Sequence, residues 1–274
     1  MAQSGNRPGG GDAVSSALIV DNLVVRFGGV AAVRSLSLTA PVGRVTGLIG
    51  PNGAGKSTTF NVCSGLVRPA SGRVSFDGVD LTHAPAAQRA HCGIGRTFQR
   101  MELFESLSVY ENVALGREAR LAGTSPLRQL VPRRAEADLV RRAADEAIAR
   151  CELASVASQR AGLLSTGQKR LVELARALAG QFRLLLLDEP SSGLDAHDSA
   201  RFAALLRQVV DSTGIGVLIV EHDMSVIADV CDHVYVLDFG ELIFAGTPQE
   251  VLSSETVRAA YLGTEPISTP KVTA

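Results

Sequence analysis

Gly50-Pro51-Asn52-Gly53-Ala54-Gly55-Lys56-Ser57 gathers glycines, a lysine and a hydroxyl in one short loop. The spacing fits a phosphate-binding loop. Glycines let backbone N–H groups turn inward around phosphates, and a helix N-terminus adds a favourable dipole. Lys56 is spaced to reach the β- and γ-phosphates, and the Ser57 hydroxyl to hold Mg2+. By ordinary residue usage, a chance match in a chain this long is roughly a one-in-a-hundred event.

A second constellation is Leu184-Leu185-Leu186-Leu187-Asp188-Glu189, an apolar run ending in two acids. Asp188 can sit near Mg2+, and Glu189 can polarise an attacking water. Alone, such a run would be a strand followed by an acidic loop. Beside a phosphate loop the chemical reading prevails. A third, Leu164-Ser165-Thr166-Gly167-Gln168, opens a helix with Ser165 as its N-cap. A helix start also binds anions, so it offers a second phosphate contact.

These residues need a scaffold, and the apolar pattern supplies one. Ile19–Phe27 and Val33–Thr39 alternate as half-buried strands do. Val45–Ile49 is a short apolar run, suited to a strand buried on both faces, and residues 56–66 read as a helix. Arg73–Asp80 carries the turn signal Asp77-Gly78 and reads as a hairpin. From Leu107 to Ala161 the pattern is helical, broken at Gly123–Pro132; its charges read as a solvated face. Afterwards helices Gly167–Ala179, His197–Val210 and Met224–Val230 alternate with strands Leu184–Leu187 and Val217–Val220. Val234–Leu237 and Leu242–Ala245 flank a turn at Asp238-Phe239-Gly240. This rhythm predicts a mostly parallel α/β sheet with helices on its faces and a helical insertion.

Composition narrows the function. The 274 residues carry 27 Lys and Arg against 28 Asp and Glu, a formal net charge of -1. That balance argues against a protein built to grip nucleic acid through a broad basic surface. No run of apolar residues is long enough to span a bilayer. Met1–Ser16 lacks the apolar stretch of a signal peptide and reads as a flexible tail, which suggests the cytosol. Cys63, Cys92, Cys151 and Cys231 are scattered without metal-ligand spacing.

The order of phosphate loop, Gln99, Leu164–Gln168, Leu184–Glu189, Asp195 and His222 resembles the ABC ATPase family from about Leu18 to Leu262. The resemblance implies a P-loop NTPase (RecA-like) core, an N-terminal antiparallel β subdomain and an inserted helical subdomain at about 107–161. The domain is expected over 18–263, between tails at 1–17 and 264–274. It implies ATP and Mg2+ as cofactors, with Gly50 through Thr58 holding the nucleotide and Phe27 stacking on adenine. Two cassettes would meet head to tail and bury two ATP molecules. Ser165, Thr166, Gly167 and Gln168 would face the partner's ATP, and Asp195 would link the two sites. Gln99 would join Ser57 and Asp188 around the metal, and His222 would assist Glu189 in catalysis. Thr166 stands where the family more often has glycine, but it leaves the Ser165 hydroxyl and the Gly167 amide available.

Gly93–Phe104, Glu221–Met224, Leu237–Gly240 and Ala260–Gly263 further resemble the larger ATPase subunit of branched-chain amino-acid importers. Related cassettes serve urea, other amides or lipopolysaccharide export. The expected partners are a second ATPase subunit (a copy or a smaller relative), two transmembrane permeases and, indirectly, a solute-binding protein. The expected place is the cytoplasmic face of the membrane. A soluble ATPase acting on ribosomes or DNA usually has two cassettes or a long coiled coil, and this chain has neither. An inactive scaffold is disfavoured by Lys56, Asp188, Glu189 and His222.

Overall fold

A computed structural model describes residues 16–97, 102–122 and 134–262. The strands are β1 (Ala17–Phe27), β2 (Val30–Pro41), β3 (Val45–Ile49), β4 (Ser71–Phe76), β5 (Val79–Asp80), β6 (Ile94–Arg96), β7 (Leu184–Asp188), β8 (Gly216–Val220), β9 (His233–Asp238) and β10 (Glu241–Gly246). The helices are α1 (Lys56–Cys63), α2 (Ala86–His91), α3 (Val109–Ala122), α4 (Arg134–Arg150), α5 (Thr166–Ala179), α6 (Ala196–Thr213), α7 (Met224–Val230), α8 (Pro248–Ser253) and α9 (Glu255–Leu262).

Two sheets carry the fold. The larger runs β10-β9-β3-β8-β7-β6, parallel except for the antiparallel edge strand β10. The smaller, β2-β1-β4-β5, is antiparallel. The apolar runs are explained by two cores on opposite faces of the larger sheet. Leu185, Leu187, Val217 and Ile219 enter one core with α5, α6 and α7. Leu184, Leu186, Leu218 and Val220 enter the other, with α1 and the antiparallel sheet. Alternation within an all-apolar run is the mark of a strand covered on both sides.

Several boundaries differ from the sequence reading. β1 begins at Ala17, inside the expected tail, because Ala17 pairs with Pro41 and is buried. The hairpin is present: Asp77 and Gly78 both have positive φ, 51° and 76°, as a tight two-residue turn between β4 and β5 requires. α1 ends at Cys63 rather than near residue 66 because the chain turns at Gly65, with positive φ (80°) and its amide on Val62 O (3.0 Å), while Arg89 takes the last carbonyls. The helices of the middle region, α3 and α4, pack on α5. The expected break at Gly123–Pro132 and the tail from 264 lie outside the described residues. Nothing in the periodicity announced α2, β6, α8 or α9, which are short. Among the described residues, no helix is long and apolar enough to cross a membrane.

Arg89, 1% exposed, ties the two sheets' elements together. Its Nη1 donates to the carbonyls of Val62 (2.8 Å) and Cys63 (2.9 Å), its Nη2 to Leu81 (2.5 Å) and Thr82 (3.4 Å), and its Nε to Ala84 (3.0 Å). Burial pulls its pKa below the ordinary arginine value. The cation caps the C-terminal end of α1, where the helix dipole favours positive charge. Arg89→Met would strip these carbonyls of the guanidinium donor, leaving only those of Val62 and Leu81 with a backbone amide, and is expected to destabilise the chain by on the order of 3 kcal/mol. Urea unfolding checks this, and an unchanged midpoint would refute it.

Candidate functional site

The site is built at the C-terminal ends of β3, β8 and β7, which lie side by side. Val220, the last residue of β8, pairs with Leu48 on one side and Asp188 on the other. The loop from Gly50, the acids Asp188 and Glu189, and the Glu221-His222 pair therefore leave the sheet at one level. Crevices at strand C-termini are where open α/β sheets bind ligands.

After β3 the chain turns through the glycine loop into α1. A Cβ on Gly50 would lie 2.1 Å from the Leu237 carbonyl oxygen, and one on Gly55 would lie 2.6 Å from that of Ala32. Only glycine fits at either place. The β9–β10 turn closes the loop from behind: the Gly240 amide donates to Ala54 O (3.0 Å), and Arg34 N donates to Gly240 O (2.7 Å). Pro51 is half-buried, Asn52 and Gly53 are exposed, and Ala54 is buried. No side chain caps the N-terminus of α1, so its first amides are available to an anion.

Lys56 is only 5% exposed. Its Nζ donates to the carbonyls of Gly50 (2.7 Å) and Pro51 (2.9 Å). Burial pulls the ammonium's pKa down, while the nearby carboxylates of Glu189 and Asp188 pull it up. Ser57 is exposed and Thr58 half-buried on the first turn. A buried ammonium, uncapped amides and a glycine cradle fit a polyphosphate.

Asp188 ends β7, its side chain 5% exposed. Burial raises its pKa, opposed by Arg96, whose Nη2 donates to Oδ2 at 3.1 Å. Among the described residues no hydrogen-bond donor reaches Oδ1. The Ser57 hydroxyl and Asp188 carboxylate are hard oxygen donors, the kind Mg2+ takes. Glu189 sits in left-handed backbone, φ 48°, a conformation that costs about 1–3 kcal/mol in a non-glycine residue and often marks functional sites. It is held there by Glu189 N donating to Val220 O (2.9 Å) and by Ser192 N donating to Glu189 O (3.0 Å). His222 Nε2 lies 2.6 Å from Glu189 Oε1. A carboxylate accepts, so that ring nitrogen carries the hydrogen. A water beside Glu189 would have an acceptor held in place by the imidazole.

Ser165 caps α5 in a reciprocal box with Gln168: Gln168 N donates to Ser165 Oγ (3.2 Å), and Ser165 N donates to Gln168 Oε1 (3.1 Å). Ser165 and Thr166 are exposed. Gly167 is buried against α6, where a Cβ would lie 2.3 Å from Asp198 Oδ2. Asp195 is the N-cap of α6, accepting from Asp198 N at 2.8 Å. Phe27 ends β1 and is 55% exposed. Gln99 lies outside the described residues. The structure thus gathers Gly50–Thr58, Asp188, Glu189 and His222 at the C-terminal ends of three adjacent strands, and gives Ser165–Gln168 a separate exposed helix start.

Several contributors escaped the sequence reading. Glu221, buried, accepts from Ser191 N (2.7 Å) and His222 N (3.2 Å), tying the histidine's backbone to the segment after Glu189. Its place beside His222 was the available signal. Arg170 Nη1 donates to Glu173 (3.0 Å) and Nη2 to Ser192 O (3.1 Å), and Glu173 accepts from Glu102 N (3.2 Å). This network joins α5 to the segments after Glu189 and after Gln99. On α9, burial pushes the Tyr261 phenol up to about 12, with the Gly50 backbone pulling the other way. No local pattern connects Tyr261 to that loop.

Residues 33–192 match the family described as ABC transporter, and residues 241–266 match one described as branched-chain amino acid ATP-binding cassette transporter. The chain is 36% identical over 248 residues to the lipopolysaccharide export system ATP-binding protein LptB of Haemophilus influenzae, covering 90% of this chain and 98% of that one. It is 34% identical over 250 residues to the high-affinity branched-chain amino acid transport ATP-binding protein BraF of Pseudomonas aeruginosa, covering 90% and 97%. A solved ATP-binding cassette of an ABC transporter, in its ADP conformation, superposes with a TM-score of 0.80 at 32% identity, covering 91% of this chain and 100% of that chain.

Glu189→Gln keeps the shape of the site and removes the carboxylate. ATP binding is expected to persist while phosphate release falls by about 100-fold or more. Turnover at the wild-type rate would remove Glu189 from this role.

Proposed function

The chain belongs to the ABC transporter family of ATP-binding subunits, and from that premise we propose that it hydrolyses ATP to drive import of branched-chain amino acids. The observation that carries the ATPase reading is the convergence of Lys56, Asp188 and the His222–Glu189 pair at the C-terminal ends of β3, β8 and β7. Support for the cargo is the match of residues 241–266. The similarity to a lipopolysaccharide export protein keeps a different cargo as the second reading.

In this reading Gly50–Thr58 wrap the triphosphate with backbone amides, and Lys56 extends its ammonium to the β- and γ-phosphate oxygens. Phe27 offers its exposed ring to the adenine. Ser57 and Asp188, with Gln99, would hold Mg2+, which supplies charge neutralisation when bound. Glu189 accepts a proton from the attacking water, and His222 keeps its carboxylate aimed. Ser165 and Gly167 present a hydroxyl and helix-start amides to the γ-phosphate held by a second cassette, with Thr166 and Gln168 shaping that turn. Asp195 lies between the two sites. Closure on ATP and reopening after hydrolysis would move two permease subunits at the cytoplasmic membrane face, which in turn receive the cargo from a solute-binding protein.

Light scattering of Glu189→Gln protein with and without Mg-ATP tests the shared site. An ATP-dependent dimer is expected if the chain pairs with itself. A monomer that binds ATP and stays monomeric when a smaller relative from the same transporter is added would refute pairing across ATP. For the cargo, the assembled transporter in liposomes should show ATP hydrolysis stimulated by a leucine-loaded binding protein. Stimulation by another cargo alone would overturn branched-chain import.

A further inference from the structure

Arg96 stands behind the site, against Asp188. It is the last residue of β6, and its side chain is 14% exposed. Its Nη1 donates to Asn61 Oδ1 (2.7 Å) and Ser64 Oγ (2.6 Å) at the C-terminal end of α1. Its Nη2 donates to Asp188 Oδ2 (3.1 Å) at the end of β7. The guanidinium also lies over the Phe60 ring, 5.1 Å from the centroid, and Phe60 is fully buried. One planar cation therefore spans α1, which carries Ser57, and β7, which carries Asp188.

This geometry does more than neutralise a buried acid. A lone ion pair needs one contact, and a lysine could make it. Here the fork donates in two directions while its face is fixed by an aromatic ring, so the guanidinium plane is set by α1 and β7 together. The plane in turn sets which Asp188 oxygen is taken: Oδ2 is engaged, and no described donor reaches Oδ1. Groups that orient a metal-binding carboxylate in this way tune metal affinity from outside the coordination shell.

We propose that Arg96 is a positioning residue for the metal–nucleotide site, holding Asp188 by Oδ2 in register with α1 so that Oδ1 is kept for the cation. The proposal rests on the reading of Asp188 as a metal-binding residue. Arg96 touches no reacting atom, and its effect reaches the site through Asp188 and α1. The α1 end of the bridge distinguishes this from simple charge neutralisation. Removing Asn61 leaves the cation beside Asp188 but loosens its orientation.

Mn2+ binding to the full chain with a non-hydrolysable ATP analogue, read from the free-ion electron paramagnetic resonance signal, tests this. Arg96→Met is expected to weaken Mn2+ by about tenfold or more, with analogue affinity in EDTA unchanged. Arg96→Lys should recover part of the loss, and Asn61→Ala should weaken Mn2+ in the same direction by less. Asp188→Asn separates the two readings. If it leaves Mn2+ affinity intact, the metal role of Asp188 fails. If it weakens Mn2+ while Arg96→Met, or Arg96→Lys should the Met variant not fold, binds as tightly as wild type or tighter, the positioning role alone is overturned.

Discussion

A lysine ammonium that is almost wholly buried must be surrounded by acceptors, and this requirement organises the nucleotide end of the molecule. Lys56 meets it by donating to two carbonyls of its own loop. Those carbonyls can converge on one nitrogen only if the loop folds back sharply. The fold-back presses Gly50 against the Leu237 carbonyl and Gly55 against that of Ala32, leaving no room for a Cβ. The β9–β10 turn and the start of β2 are thus part of the loop's mould, although neither belongs to the motif.

The neighbouring strand end faces the same constraint. Burial disfavours charge on both Lys56 and Asp188, and each is supported by opposite charge nearby. The parallel order β3-β8-β7 brings these groups together without any loop having to reach across the sheet. Arginine at residue 96 balances Asp188 from below, and Glu221 fixes the backbone of Ser191 and His222. The site is held mostly by strands and helix starts, which are stiffer than loops, and that suits chemistry based on positioning.

The phosphate loop, the Leu184–Glu189 strand, the Ser165 cap and the Asp77-Gly78 turn were legible in the sequence because each depends on contiguous residues. So was the parallel α/β core, since its central strands β7 and β8 are nearly continuous apolar runs. What stayed hidden depends on contacts between distant segments. Arg96 reads as an ordinary charged residue until β6 is seen beside β7 and α1. Nothing in the sequence around Arg89 signals burial, yet it is among the most buried side chains. Tyr261 reaches the Gly50 backbone from the far end of the chain. Short elements such as β6 and α8 are stabilised by the partners they pack on, so their own periodicity is too brief to announce them.

The central claim is that the loop around Lys56 binds the triphosphate of ATP through that ammonium. Calorimetric titration of ATP into the wild-type chain and into Lys56→Ala tests it most directly. The account predicts saturable binding by the wild type, weakened by about 100-fold or more in the variant, since a buried charged hydrogen-bonding partner is lost. Equal affinity in the two proteins, with both folded, would contradict it.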